Sequence, residues 1–320
     1  MPDAGAAVNH ARVIVPLRNG GERWREAAAA LCAALPDPAL VGVVDSASTD
    51  GSDRVASESG FELVRIEPRT FNHGRTRQMA VDRFCGGREY VVFLTHDAIV
   101  EGKEALAALL AAFDDPAVAV AYGRQLPHRG AGPFESHMAL FNYGTASETR
   151  SLADVGRLGI KAAYTSNSFG AYRLAALRSC GGFPAHLILG EDTCVAVKML
   201  LAGWKVRYCA DARARHSHAY SIAQETQRYF DFGVLHSQLP ELIRHFGAAE
   251  GEGARFVASE LRYMAANAPW LLPEVPLRNA AKYAGYRLGR MYARLPRGLC
   301  RRLSMTKVFW DQPAGDRAAR

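Results

Sequence analysis

Five short apolar runs constrain this chain more than anything else in it. They read ARVIVP (11–16), LVGVVDS (40–46), FELVRIEP (61–68), EYVVFL (89–94) and VAVAYGRQ (118–125). Between them lie segments with helical spacing: the Ala-rich GERWREAAAALCAALPDP, the cap-rich STDGSDRVASESG, HGRTRQMAVDRFCGG ending in paired glycines, and GKEALAALLAAFDDP. Strands that are apolar throughout, rather than on alternate residues, are buried on both faces. Strand and helix in alternation build a mostly parallel α/β sheet with helices on both faces. At 320 residues and 49% hydrophobic content the chain can bury a sizeable core.

Open sheets of this kind hold ligands outside the carboxyl ends of their strands. Here those ends are 16–20, 45–50 and 95–98, and they are expected to converge on one crevice. The run EYVVFL stops at THDA (95–98), which a turn would also explain. From 126 to 160 the pattern weakens, with Pro, Gly and His in abundance, and this stretch reads as a mobile loop or lid. A strand is predicted in TSNSFGAYR (165–173), and a helix running into a strand in GEDTCVAVKMLLAGWKVRY. RARHSHAYS (213–221) carries two histidines. From about 222 the pattern is helical: AQETQRYFDFGVLHSQLPELIRHF, ARFVASELRYMAANA and a basic stretch to about 305.

The net charge of +7 suggests anionic partners. The six cysteines are scattered without a CxxC pair, so reduced thiols are expected rather than a zinc site or a disulfide framework. The N-terminal MPDAGAAVNHARVIVP lacks the pattern of a signal peptide, and no stretch approaches the length of a spanning helix. These features point to a cytoplasmic protein.

Several polar residues at the strand ends can carry chemistry. Asp45 ends the second run, where a carboxylate can accept the imide N–H of a pyrimidine. Asp50 and Ser52 beside it read better as turn chemistry. Asp97 can share a hard divalent cation with substrate phosphates. Glu191 and Asp192 open a helix, where favourable charge against the dipole would account for one of them and a general base for the other. His216 and His218, two residues apart on an extended segment, face the same way and are candidate metal ligands.

Four segments in order, VPLRNGG, VVDSASTDGS, FLTHDA and GGF…GEDTCVAVKMLLAGWKVRY, resemble the family 2 inverting glycosyltransferases of GT-A fold over about residues 11–220. FNHGRTRQMA, FLTHDA, SNSFGAYR, RHSHAYS and QRYFDFGVLHSQ resemble bacterial rhamnosyltransferases that use dTDP-L-rhamnose. The resemblance implies that Pro16, Arg18 and Asn19 line the nucleoside and Asp45 binds the base. Arg75 or Arg77 approaches the base or the diphosphate. Thr95, His96 and Asp97 stand where the family has its DxD motif, with Thr95 in place of the first Asp. Asp97 and His216, or alternatively His218, would then hold Mg²⁺ or Mn²⁺. Asp192 would be the general base and Glu191 its positioning neighbour. The implied reaction is a single inverting displacement from a nucleotide sugar onto a hydroxyl of a lipid-linked bacterial glycan.

The implied division is a transferase domain over 1–220 and a basic helical extension over 221–320. Between Pro276 and Trp310 there is no acid, and Arg287, Arg290, Arg294, Arg297 and Arg301 fall at three- and four-residue steps. That face reads either as a peripheral contact with an anionic membrane or as a solvated helix. The segment 227–238 reads as a wall of the acceptor pocket or as a helix with a solvated polar face. The competing functions are a UDP-hexose transferase, a nucleotidyltransferase, or a non-catalytic membrane- or nucleic-acid-binding protein. No phosphate-binding glycine loop follows the first strand, which disfavours the second. The crevice acids would repel nucleic-acid phosphates, which disfavours the third.

Overall fold

The computed structural model describes residues 8–239, 245–247 and 252–312. The first seven residues of the segment read for a leader, and 240–244 of a predicted helix, lie outside them.

The first four apolar runs form β1 (Ala11–Leu17), β2 (Val41–Asp45), β3 (Glu62–Arg65) and β4 (Tyr90–Leu94), which pair in parallel in the order β3-β2-β1-β4. The intervening helices are α1 (Gly21–Ala34), α2 (Ser52–Glu58) and α3 (His73–Phe84). Burial on both faces shows in the partition of side chains. Val13, Val15 and Leu17 of β1, with Val92 and Leu94 of β4, join a core with Trp24 and Leu31 of α1. Ile14, Val91 and Phe93, one residue out of step, join the opposite core with Val81 and Phe84 of α3. The period of two along a strand divides one apolar run between two cores.

The rest of the sheet is mixed. After β5 (Ile99–Val100) and α4 (Ala105–Leu110) comes β6 (Val118–Leu126). The predicted strand at 165–173 starts later, as β8 (Phe169–Arg173), and lies antiparallel between β4 and β6. Its first four residues are freed to form a loop. β9 (Lys205–Arg215) runs parallel to β6 and carries β5 antiparallel on its far edge, so the nine strands among the described residues form one sheet.

The stretch 126–160, read as a mobile lid, is ordered structure instead. It holds α5 (Pro133–Asn142), β7 (Glu148–Arg150) paired with β9, and α6 (Val155–Leu158). Its Pro, Gly and His content obscured two anchors. Pro133 starts α5 at a position where a missing N–H costs nothing. His137 is buried, with Nε2 3.0 Å from Ser259 Oγ.

α7 (Leu174–Ser179) and α8 (Glu191–Leu201) precede β9, and after β9 the chain leaves the sheet. It continues as α9 (Ile222–Gln238), α10 (Glu252–Asn267), α11 (Glu274–Arg290), α12 (Arg297–Leu303) and α13 (Lys307–Asp311). Three of them, α9, α12 and α13, share a core with the loop before α8: Leu187, Ile188 and Leu189 pack with Phe230, Val234, Cys300, Phe309 and Trp310. The five arginines would share one helical face only if a helix ran on through Pro296, and it does not. α11 ends at Arg290, and Pro296 starts a new helix. Arg297 donates to the carbonyls of Trp310 and Gln312, and Arg301 pairs with Asp311 at 2.7 Å. Among the described residues no helix is long and apolar enough to cross a membrane.

Candidate active site

The carboxyl ends of the strands open into a cleft of about 1030 Å³, closed on its far side by α5, α9 and the segment 216–221. The nucleoside-side residues divide. Pro16 and Arg18 line the cleft, with Ser46. Asn19 and Asp45, expected at the nucleoside, are not among the residues that line it. Asn19, held at a left-handed φ of 47°, accepts from Thr49 N–H at 2.8 Å and donates its own N–H to Ser48 Oγ at 2.9 Å. Asp45, opposite Leu17 in the β1–β2 register, is buried and accepts from Ser48 Oγ at 2.5 Å. Turn chemistry read for Asp50 and Ser52 therefore extends to Asp45. The two candidate arginines also part. Arg77 lines the cleft, whereas Arg75 faces a separate hollow of about 280 Å³ with Gln78, Asp82 and Phe183. The helix sends residues two apart in different directions.

Thr95, His96 and Asp97 line the cleft where β4 ends. Sheet register brings the histidines to them. Ile99 of β5 lies opposite Arg215 of antiparallel β9, so residues just before 99 meet residues just after 215. His216 Nε2 is 3.6 Å from Asp97 Oδ1, and His218 Nδ1 is 3.6 Å from Asp97 Oδ2. One ligand atom from each of the three residues lies within 4.8 Å of the others. Burial pushes His216 down to about 4, against the attraction of Asp97, and lowers His218 for the same reason. Burial works against ionisation of Asp97, but the neighbouring imidazoles more than offset it and hold the carboxyl at about 2. Neutral imidazole nitrogens therefore converge with an ionised carboxylate. This donor set suits a divalent cation.

Opposite stands the start of α8. Gly190 turns the chain at a φ of 76°, where any Cβ would also press on Leu235 at 2.5 Å. The two acids that follow meet different surroundings. Glu191 is buried against Arg77 at 2.8 Å and accepts from Asn167 Nδ2 at 3.0 Å. Burial raises its pKa, but Arg77 and then His73 outweigh this and leave it lowered. Asp192 has no ion pair among the described residues. It accepts the N–H groups of Thr193 at 2.7 Å and Asn167 at 3.2 Å. Burial, and then the charge of Glu191, raise it to about 6. Adjacent carboxyls with pKa values pushed apart have separate work: Glu191 is fixed as an ion, and Asp192 can gain or lose a proton near neutrality.

Two further cations reach the cleft. Arg278, from α11, is neutralised by Glu225 at 3.1 Å and Glu274 at 2.7 Å. Arg228, from α9, lies over the Phe232 ring at 4.9 Å and has no carboxylate partner among the described residues. The segment 227–238 thus walls the cleft with Arg228, while Asp231 turns inward rather than to solvent. Asp231 is fully buried and accepts the N–H groups of Met305 and Thr306. Reading from sequence missed Gln125, Asn167 and Arg278. The first two stood in view, as a polar residue ending an apolar strand and as a polar run just before one. Nothing local marks Arg278.

Comparison with known proteins agrees with this geometry. The family model described as Glycosyl transferase family 2 matches residues 12–181. The chain belongs to that family. It is 45% identical over 300 residues to the O-antigen chain rhamnosyltransferase WbaN of Salmonella anatum, covering 93% of this chain and 95% of that protein. It is 42% identical, with the same coverage, to the O-antigen chain rhamnosyltransferase RfbN of Salmonella typhimurium. Among solved structures, the mannosyltransferase PcManGT of Pyrobaculum calidifontis, in complex with GDP-Man and Mn²⁺, superposes with a TM-score of 0.56. It is 21% identical and covers 94% of this chain and 86% of its own. The fold is thus the GT-A fold that the motifs implied, and this family 2 member is a glycosyltransferase.

Proposed function

We propose that this enzyme transfers L-rhamnose from dTDP-L-rhamnose, with inversion, to a hydroxyl of a growing lipid-linked bacterial surface glycan. The observation that carries the chemistry is one cleft with an ionised carboxylate among neutral imidazoles on one wall and a carboxyl titrating near 6 on the other. The sugar rests on the two O-antigen rhamnosyltransferases. In this reading Pro16, Arg18 and Ser46 seat the nucleoside, and Asn19 and Asp45 hold the turn beside them. Asp97, His216 and His218 would hold Mg²⁺ or Mn²⁺, which supplies charge stabilisation for the departing diphosphate. Arg228, which lines the cleft and has no carboxylate partner among the described residues, adds a fixed positive charge for the same oxygens. Asp192 accepts the proton of the acceptor hydroxyl as its oxygen attacks the anomeric carbon from the face opposite the leaving group. Glu191 keeps Arg77 and Asn167 in place around it.

Residues 1–220 would carry this chemistry apart from the charge of Arg228, and 221–320 would also supply the acceptor wall and an attachment to the cytoplasmic face of the membrane. Leu277, Tyr283, Leu288 and Met291 of the α11 region stay in solvent, with Trp270 just before them. Arg287 and Arg294 lie among them with no acid in that stretch of chain.

Calorimetric titration with dTDP-L-rhamnose, UDP-glucose and UDP-galactose, with Mn²⁺ and then with EDTA, tests the reading. The expected result is metal-dependent binding of the thymidine donor that is lost in Asp97→Asn. Preference for a UDP-hexose would overturn the sugar and leave the mechanism. Failure to bind any nucleotide sugar would overturn both.

A further inference from the structure

The side chain of Gln125 bridges the two halves of the cleft. It ends β6, where the parallel register with β9 sets it opposite Ala214, so it shares a face with His216 two residues on. It is buried. Its Oε1 is 2.8 Å from His216 Nδ1, and its Nε2 donates to Ser166 Oγ at 2.8 Å. In this orientation of the amide the NH₂ faces the Ser166 hydroxyl and the carbonyl oxygen faces the imidazole. An oxygen has no proton to offer, so His216 Nδ1 must carry the hydrogen. The lone pair is then on Nε2, the nitrogen that faces Asp97.

Ser166 also has a place on the other wall. Its Oγ accepts from Ser168 N–H at 3.3 Å, and the residue between them, Asn167, gives its N–H to Asp192 and its amide to Glu191. A short chain of contacts therefore runs from His216 through Gln125 and Ser166 to the acid pair on α8.

We infer that Gln125 is a positioning residue: it fixes the Nδ1–H tautomer of His216, so that Nε2 is presented as a cation ligand beside Asp97. The same amide ties that ligand to the loop that orients Asp192. The inference rests on the proposed cation site, yet the tautomer itself can be read without any metal. Partners of this kind on a ligating imidazole change metal affinity by about 10- to 100-fold when removed.

Two variants separate the possibilities. Gln125→Leu keeps the volume roughly and removes both bonds. Gln125→Glu restores both, since one carboxylate oxygen accepts from His216 Nδ1–H and the other from the Ser166 hydroxyl. Long-range proton–nitrogen NMR of the metal-free full-length protein should show His216 protonated at Nδ1 in the wild type and in Gln125→Glu. In Gln125→Leu it should move to a mixture of tautomers. Calorimetry with Mn²⁺ alone should give an affinity about 10- to 100-fold weaker in Gln125→Leu, restored in Gln125→Glu, with thermal unfolding confirming that all three proteins are folded. An unchanged tautomer in Gln125→Leu overturns the inference. So does a changed tautomer with unchanged Mn²⁺ affinity. A wild type with the Nδ1–H tautomer that binds no Mn²⁺ overturns the cation site and, with it, the role of Gln125 toward a metal. A folded Gln125→Leu with unaltered kcat would remove the proposed tie to Asp192.

Discussion

Glu191 and Asp192 are neighbours in sequence, and sequence alone could name them only as a pair. Their roles part because one side chain turns toward Arg77 and the other does not. The raised value of Asp192, about 6, carries two consequences. As a general base it must be ionised, so kcat should fall as pH drops through about 6 and level off above it. In the unfolded chain an aspartate titrates near its ordinary value, so between the two values the folded state binds the proton more readily. Stability is therefore gained as pH falls through the folded value, and ionised Asp192 weakens the fold at neutral pH. Asp192→Asn should lower kcat by about 10²- to 10⁴-fold while raising Tm at pH 7.5. Donor affinity by calorimetry should stay near wild type. A variant that loses stability along with activity would mark Asp192 as a structural residue and leave the reaction without its base.

At the scale of elements, the first half of the fold was legible because an all-apolar run can be satisfied only inside a covered sheet. Its strand ends were legible for the same reason, and they carried Asp97 to the cleft. Partners brought in by register were not. Nothing near Gln125 announces His216, and nothing near Arg278 announces Glu225. The C-terminal helices show the limit most plainly. Lys282, in a stretch with many basic residues and no acid, is buried between Glu225 at 3.5 Å and Glu260 at 3.7 Å. What allows this burial is the close crossing of α9 and α11. A Cβ on Gly289 would lie 2.0 Å from the Phe230 carbonyl oxygen, and one on Gly233 would lie 2.3 Å from that of Tyr286. Backbone meets backbone there, with no flexible side chain to give way. Gly289→Ala should therefore push the helices apart and destabilise the protein by about 1–3 kcal/mol, measured by urea unfolding. Because Phe230 is two residues from Arg228, donor affinity should fall as well. An alanine accepted without loss of stability would mean that the crossing is looser than these distances.

Over the whole molecule, the extension is tied to the rest by buried carboxyls. Asp231 and Glu225 find their partners beyond residue 276, and Glu260 finds Lys282 there besides His137, so truncation at 276 is expected to destabilise the fold and to cost donor binding with it. The proposed membrane contact must therefore be tested by surface changes on the full chain. The inward cations, Arg278 and Lys282, are excluded from it by their ion pairs. What remains outside is the apolar set around Tyr283, 62% exposed, and Trp270, 73% exposed, with Arg287 held to the Tyr283 hydroxyl at 2.9 Å. Apolar burial and attraction to anionic headgroups act together on such a surface, and each basic residue near it contributes about 1 kcal/mol. The wild type should sediment with vesicles containing phosphatidylglycerol, less so at high salt, and weakly with neutral vesicles. Arg287→Glu should reduce binding by more than about fivefold, since it removes one attraction and adds a repulsion. Leu277→Ser with Tyr283→Ser should reduce it even at low salt, without changing Tm, because both side chains already stand in water. Equal sedimentation with anionic and neutral vesicles would exclude the charge, and failure to sediment with either would leave α11 as a helix that meets only solvent.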